Sequence, residues 1–137
     1  MNLRHVYCAS RTSLILISIL SFLSGCISID FSSDTAAPEQ ILGTWKVDLR
    51  PTPDAKPYFQ EFVVTSIEGS SFIGTFYGTP VSEGRINTDW GKVRIAFVTT
   101  DGSGAYNHSA VLEGDTLEGL SNSTGRDFLS YWSAEKD

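Results

Sequence analysis

The sequence predicts an all-β protein: a small eight-stranded antiparallel up-and-down barrel, with a curved open sheet or a sandwich as the alternative. Three observations lead there. Apolar and polar residues alternate with a period of two in short stretches from Ile41 to the C-terminus. Gly, Asp, Asn and Pro clusters separate those stretches at intervals of about 8–12 residues. No stretch in that region carries the 3.6-residue period of an amphipathic helix. Eight strands close well into a ring, and closure removes the two edges that a meander otherwise exposes.

Each element follows from its own residues. The first strand, ILGTWKVDLR, sets Ile41, Gly43, Trp45, Val47 and Leu49 on one face, against Thr44, Lys46, Asp48 and Arg50. The loop PTPDAKP ends it, because Pro51, Pro53 and Pro57 cannot donate to a sheet ladder. YFQEFVVTSI is the second strand, stopped by Glu68-Gly69-Ser70. SFIGTFYGT is the third, with Phe72, Gly74 and Phe76 on one side. SEGRINTDW is a weaker fourth, broken at Gly91. KVRIAFVTT sets Val93, Ile95 and Phe97 against Lys92, Arg94 and Ala96, and Asp101-Gly102-Ser103-Gly104 is a strong turn. AYNHSAVL and TLEGLSN are joined by Glu113-Gly114-Asp115. After Ser123-Thr124-Gly125, FLSYWSA closes the chain with Phe128, Ser130, Trp132 and Ala134 on one face.

What fills the ring stays open at this point. Trp45, Phe62, Phe76, Phe97 and Trp132 share inward faces and suffice to pack a small barrel, whereas Gly43, Gly74 and Gly119 on the same faces would leave room. A hollow barrel would hold an apolar or aromatic small molecule near its mouth, with Trp45, Phe76, His108 and Trp132 as the candidate lining. A filled one would work through its outer surface, at the PTPDAKP loop or Tyr58 and Tyr77, toward an envelope protein, as an inhibitor or scaffold.

The N-terminus addresses location. Arg4 and Arg11 precede an apolar run from about Leu14 to Leu23, with no acidic residue before it. That run is too short for the roughly 20 residues of a spanning helix, and its layout is that of a secretory signal peptide. It ends in Leu23-Ser24-Gly25-Cys26, which resembles the lipobox of bacterial lipoproteins. The resemblance implies cleavage before Cys26, a diacylglycerol on its sulfur and an acylated amine, and two or three acyl chains hold stably where one does not. Ile27 follows Cys26 where an aspartate would resemble the inner-membrane retention signal of Gram-negative lipoproteins, and the absence of that aspartate favours the outer membrane, facing the periplasm, in a Gram-negative cell. Domains are therefore expected as a signal peptide over 1–25, a lipidated tether over 26–40 and a barrel over 41–137. The tether, ISIDFSSDTAAPEQ, has a reach of roughly 20 Å.

Charge and cysteines narrow the partners. From Cys26 onward, eight basic residues face sixteen acidic ones, a formal charge of −8. Such a domain repels phosphate backbones, so no nucleic-acid partner is expected. Cys8 falls in the leader and Cys26 carries the lipid, so the domain has no thiol for disulfides or zinc. The membrane, through the lipid, is the expected partner.

Gly43-Thr44-Trp45 carries a second resemblance. Lipocalins have Gly-x-Trp at the first strand, and avidin-like proteins have Gly-Thr-Trp, then a strand like Phe62-Val63-Val64-Thr65 and a Gly-Thr-aromatic strand like Gly74-Thr75-Phe76. It spans Leu42 to Tyr77 and implies a calycin-type barrel whose Trp45 plugs one end. It does not imply biotin binding. The polar positions of that site correspond here to Val47, Phe76 and Gly78, which cannot hydrogen-bond a urea group.

Chemistry is sparse. His108 is the single histidine after Cys26. Tyr106 and Ala110 share its face, and Ser109 points the other way. Asp101-Gly102-Ser103-Gly104 lacks the glutamate that completes a calcium loop. Glu113, Asp115 and Glu118 read as solvated turn residues, and Asp89 with Asp127 as a carboxylate pair of unfixed separation. We expect no enzyme, no catalytic residue, no metal and no cofactor.

Overall fold

The structure is a computed structural model that describes residues 35–137. The expected signal peptide, Leu23-Ser24-Gly25-Cys26 and most of the expected tether lie outside the described residues. A 3-10 turn over Pro38–Ile41 is followed by nine strands: β1 Gly43–Asp48, β2 Phe59–Glu68, β3 Ser71–Phe76, β4 Thr79–Pro80, β5 Ser82–Asn87, β6 Arg94–Asp101, β7 Gly104–Glu113, β8 Thr116–Ser123 and β9 Phe128–Lys136. All pairings are antiparallel. Eight of the strands close into a barrel, since β1 pairs with β2 on one side and with β9 on the other, from Trp45 opposite Lys136 to Asp48 opposite Ser133. The architecture is the one the alternation predicted.

The ninth strand is a local difference. SFIGTFYGT does not run straight: it reverses at Tyr77 and Gly78, both at positive φ (53° and 73°), and returns as the two-residue β4. Two central residues at positive φ twist a tight hairpin with the hand of the sheet. The ring then passes from β3 to β5 through one ladder pair, Ser71 with Arg85, supported by Val81 N–H to Gly74 O (2.9 Å) and Ile86 N–H to Ser70 O (2.8 Å). This is the thinnest seam in the wall.

The start of the barrel also shifts. Ile41 is not on the first strand's face; it ends the 3-10 turn and is fully buried. Gly43, at φ +111°, makes the corner that a side chain would strain. Gln40 is likewise held, its side-chain oxygen accepting the Ala37 N–H at 3.0 Å. Residues at the end of the expected tether thus lie against the barrel, with Ala36 packed on the core.

One half of the interior is solid. Trp45 sits at the turn-covered end and its Nε1 donates to Ile41 O at 2.9 Å. Phe62 stacks on Phe97 (centroids 5.1 Å, planes 7° apart), and Phe72 and Phe76 meet Phe62 edge-on. Leu117, Val47 and Ala134 fill the gaps. Burying each large side chain contributes about 1.5–3 kcal/mol, so this layer supports the fold in a domain without thiols.

Candidate functional site

The other half is not solid. The inward positions become smaller and more polar along the strands: Phe97 gives way to Thr99 on β6, Leu117 to Ser121 on β8, and Trp132 to Ser130 on β9. The result is a cavity of about 350 Å3 at the end carrying the β1–β2 loop and the β3–β4, β6–β7 and β8–β9 turns. That volume lies within the range of small-molecule sites. Its walls include Phe76, Tyr106 and Phe128, and Tyr58 and Tyr77 stand at the rim with their hydroxyls in contact.

The glycines do not make this hole. A Cβ on Gly119 would lie 2.4 Å from Trp132 Cε2 and Cζ2, so the indole occupies the space that Gly119 leaves. At Gly74 it is the Val63 carbonyl that takes the space, at 1.8 Å from an added Cβ. The opening comes from Thr99, Ser121 and Ser130, of which the alternation placed only Ser130 on an inward face.

His108 forms the polar floor. It is 5 % exposed, its ring stacked at 4.6 Å on Phe97 and at 4.6 Å from Phe76. Nε2 lies 2.8 Å from Thr99 Oγ1 and Nδ1 lies 2.6 Å from Ser121 Oγ. Residues of three neighbouring strands thus form one chain of hydrogen bonds, because His108 stands opposite Ser121 in the β7–β8 register and diagonal to Thr99 in the β6–β7 register. Burial pushes the imidazole down from its ordinary 6.5 to about 4, since the charged form loses hydration among rings and hydroxyls. The ring is therefore neutral at pH 7.

Of the four residues expected to line a ligand site, the structure brings two together there. Phe76 and His108 line the cavity. Trp132 lies one layer below, 5.3 Å from Phe76 and fully buried, with no hydrogen-bond partner for its Nε1 among the described residues. Trp45 is at the opposite end, tied to the 3-10 turn. Both tryptophans serve packing because the register places their strands' wide inward positions in the closed half. No protein-family model, no curated protein and no solved structure matches this chain. The site is read from its geometry.

The mouth adds charge. Arg126, exposed in the β8–β9 turn, donates to the Tyr106 hydroxyl and lies over that ring, 5.6 Å from its centroid. It pairs with no carboxylate among the described residues. Asp101, also on the rim, accepts the Ser103 N–H at 2.7 Å. Asp89 belongs to the β5–β6 connection at the closed end and Asp127 to the β8–β9 turn at the open end, so they form no carboxylate pair. Among the described residues, no three metal-ligating side chains cluster. Tyr58 and Tyr77, taken from the sequence as an outer surface, are the rim itself. Thr99, Ser121 and Arg126 were missed. The legible signal for the first two was a hydroxyl at successive inward positions.

Proposed function

We propose that this protein is a lipid-anchored envelope protein whose barrel binds a small apolar or aromatic molecule without transforming it. The observation that carries the binding reading is the 350 Å3 cavity with aromatic walls and a hydrogen-bonded floor. A non-catalytic role is supported by His108. Its hydrogen-bond partners are two hydroxyls with no carboxylate, and a base with a pKa near 4 is poorly matched to proton transfer at pH 7. The anchor rests on Leu23-Ser24-Gly25-Cys26 after a short apolar run. Membership of the calycin-type barrels rests on Gly43-Thr44-Trp45 and the closed ring.

Two experiments test this. Titration with the uncharged fluorophore N-phenyl-1-naphthylamine should give a saturable rise in emission at one site per chain. Ser130→Phe, which places a ring in the cavity, should abolish it. No saturable signal in either protein contradicts the reading. Mass spectrometry of the native N-terminal peptide should find a lipid thioether on Cys26, and a free thiol there would remove the anchor.

A second reading, docking of an envelope protein on the barrel's outside, is favoured by Leu120, Leu129 and Tyr131. These are exposed on the outer face of β8 and β9, with Leu120 directly opposite Tyr131. Crosslinking in intact cells that recovers a discrete partner through this face would favour it.

A further inference from the structure

The cavity's two ends differ in what they can bond, and the difference specifies a ligand class and its orientation. A neutral imidazole offers one N–H and one lone pair. Thr99 and Ser121 each offer one hydrogen and two lone pairs. Whichever tautomer His108 adopts, one hydroxyl gives its hydrogen to the ring and the other accepts the ring's N–H. The accepting hydroxyl keeps a hydrogen to donate, and the donating one keeps lone pairs. Neither oxygen has a further hydrogen bond among the described residues, both residues are buried, and both line the cavity. The deep end therefore presents one donor and at least one acceptor, and it holds no cation.

A carboxylate placed there would offer only acceptors and would bury its charge without a partner, which is strongly unfavourable. A hydroxyl or amide would satisfy both demands at once. The cation is at the mouth: Arg126 lies along Tyr106, whose ring stacks toward His108 with centroids 6.4 Å apart, and its charge is unpaired among the described residues. The one lining carboxylate, Asp101, is engaged by the Ser103 N–H.

We propose, resting on the ligand-binding reading above, that the cavity takes a ring compound with an uncharged hydroxyl or amide at the end that enters first and an anionic group at the end that stays beside Arg126. Thr99 and Ser121 read the first group, Phe76 and Phe128 enclose the ring, and Arg126 with the Tyr106 hydroxyl receives the anion.

Calorimetric titration of the purified protein with three rigid probes tests this: 6-hydroxy-2-naphthoate, 2-naphthoate and 2-naphthol. The doubly substituted probe should bind most tightly. Loss of its hydroxyl should weaken binding about 3–10-fold, as for one net neutral hydrogen bond. Loss of its carboxylate should weaken it about 2–5-fold, as for an exposed ion pair. Thr99→Val and Ser121→Ala should penalise the two hydroxylated probes and spare 2-naphthoate. Arg126→Gln should penalise the two carboxylates and spare 2-naphthol. Near-ultraviolet dichroism checks that each variant keeps its packed core. Equal affinity for all three probes, or variants that act on all three alike, would overturn this assignment and leave ligand binding standing. Failure of all three to bind overturns both.

Discussion

Gly119→Ala is the sharpest test of how the barrel is packed. Taken alone, a glycine on an inward face looks like vacant volume, and an added methyl there would fill it and stabilise. The structure reverses that expectation. The new Cβ would sit 2.4 Å from two carbons of the Trp132 indole and 2.7 Å from the Ser109 carbonyl oxygen. Neither neighbour is the free end of a flexible chain. Trp132 is fully buried and backed by Phe76 at 5.3 Å, and the Ser109 carbonyl is main chain. Overpacking of this kind costs about 1–3 kcal/mol. Restricting the unfolded chain by replacing glycine returns about 0.4–1 kcal/mol. The net should be a destabilisation of about 1–2 kcal/mol, which lowers Tm by about 5–15 °C in a domain of this size. Thermal melts followed by far-ultraviolet dichroism and tryptophan emission measure it. Gly125→Ala is the control: no atom lies within 4 Å of its added Cβ, and its stability should stay within about 0.5 kcal/mol of the parent. A Gly119→Ala protein as stable as the parent, or more so, would refute the packing described for Trp132.

Three further outcomes follow from the same geometry. His108 titrates near pH 4 in the folded state and near 6.5 when unfolded, so the unfolded chain binds the extra proton between those values and stability falls as pH drops through that window. The loss is at most about 3 kcal/mol, and denaturant midpoints should show it in the parent but not in His108→Gln; identical pH slopes would contradict it. Ile41→Ala should cost about 2–5 kcal/mol by urea unfolding, because Ile41 is fully buried in the turn that closes the barrel, and an unchanged midpoint would contradict that placement. Trp45→Phe should cost less, about 1–2 kcal/mol, chiefly through the bond to the Ile41 carbonyl, and a loss-free variant would argue against the plugged end.

The wall of the barrel was largely legible because period-two alternation is a local signal. Trp45 and Val47 are inward, as are Ile95 and Phe97, and Trp132 and Ala134. The exceptions occur where a local signal misleads. Ile41 continues the alternation through Gly43, but a positive φ at that glycine breaks the strand. Tyr77-Gly78 reads as strand because an aromatic residue is an unusual occupant of a positive-φ turn position. The cavity was less legible, because its cause is register. That Trp132 lies across from Gly119, and His108 across from Ser121, depends on how strands pair, and alternation fixes only the faces. Arg126 carried no signal at all: its importance comes from the turn that sets it over Tyr106.

The central claim, that the open end of this barrel holds a small ring compound, is tested most directly by amide chemical shifts during titration with 2-naphthol. Perturbations should cluster on Thr99, Tyr106, His108, Ser121 and Ser130 and saturate together. Shifts centred on Leu120, Leu129 and Tyr131 across the outer face, or no saturable shifts at all, would contradict it.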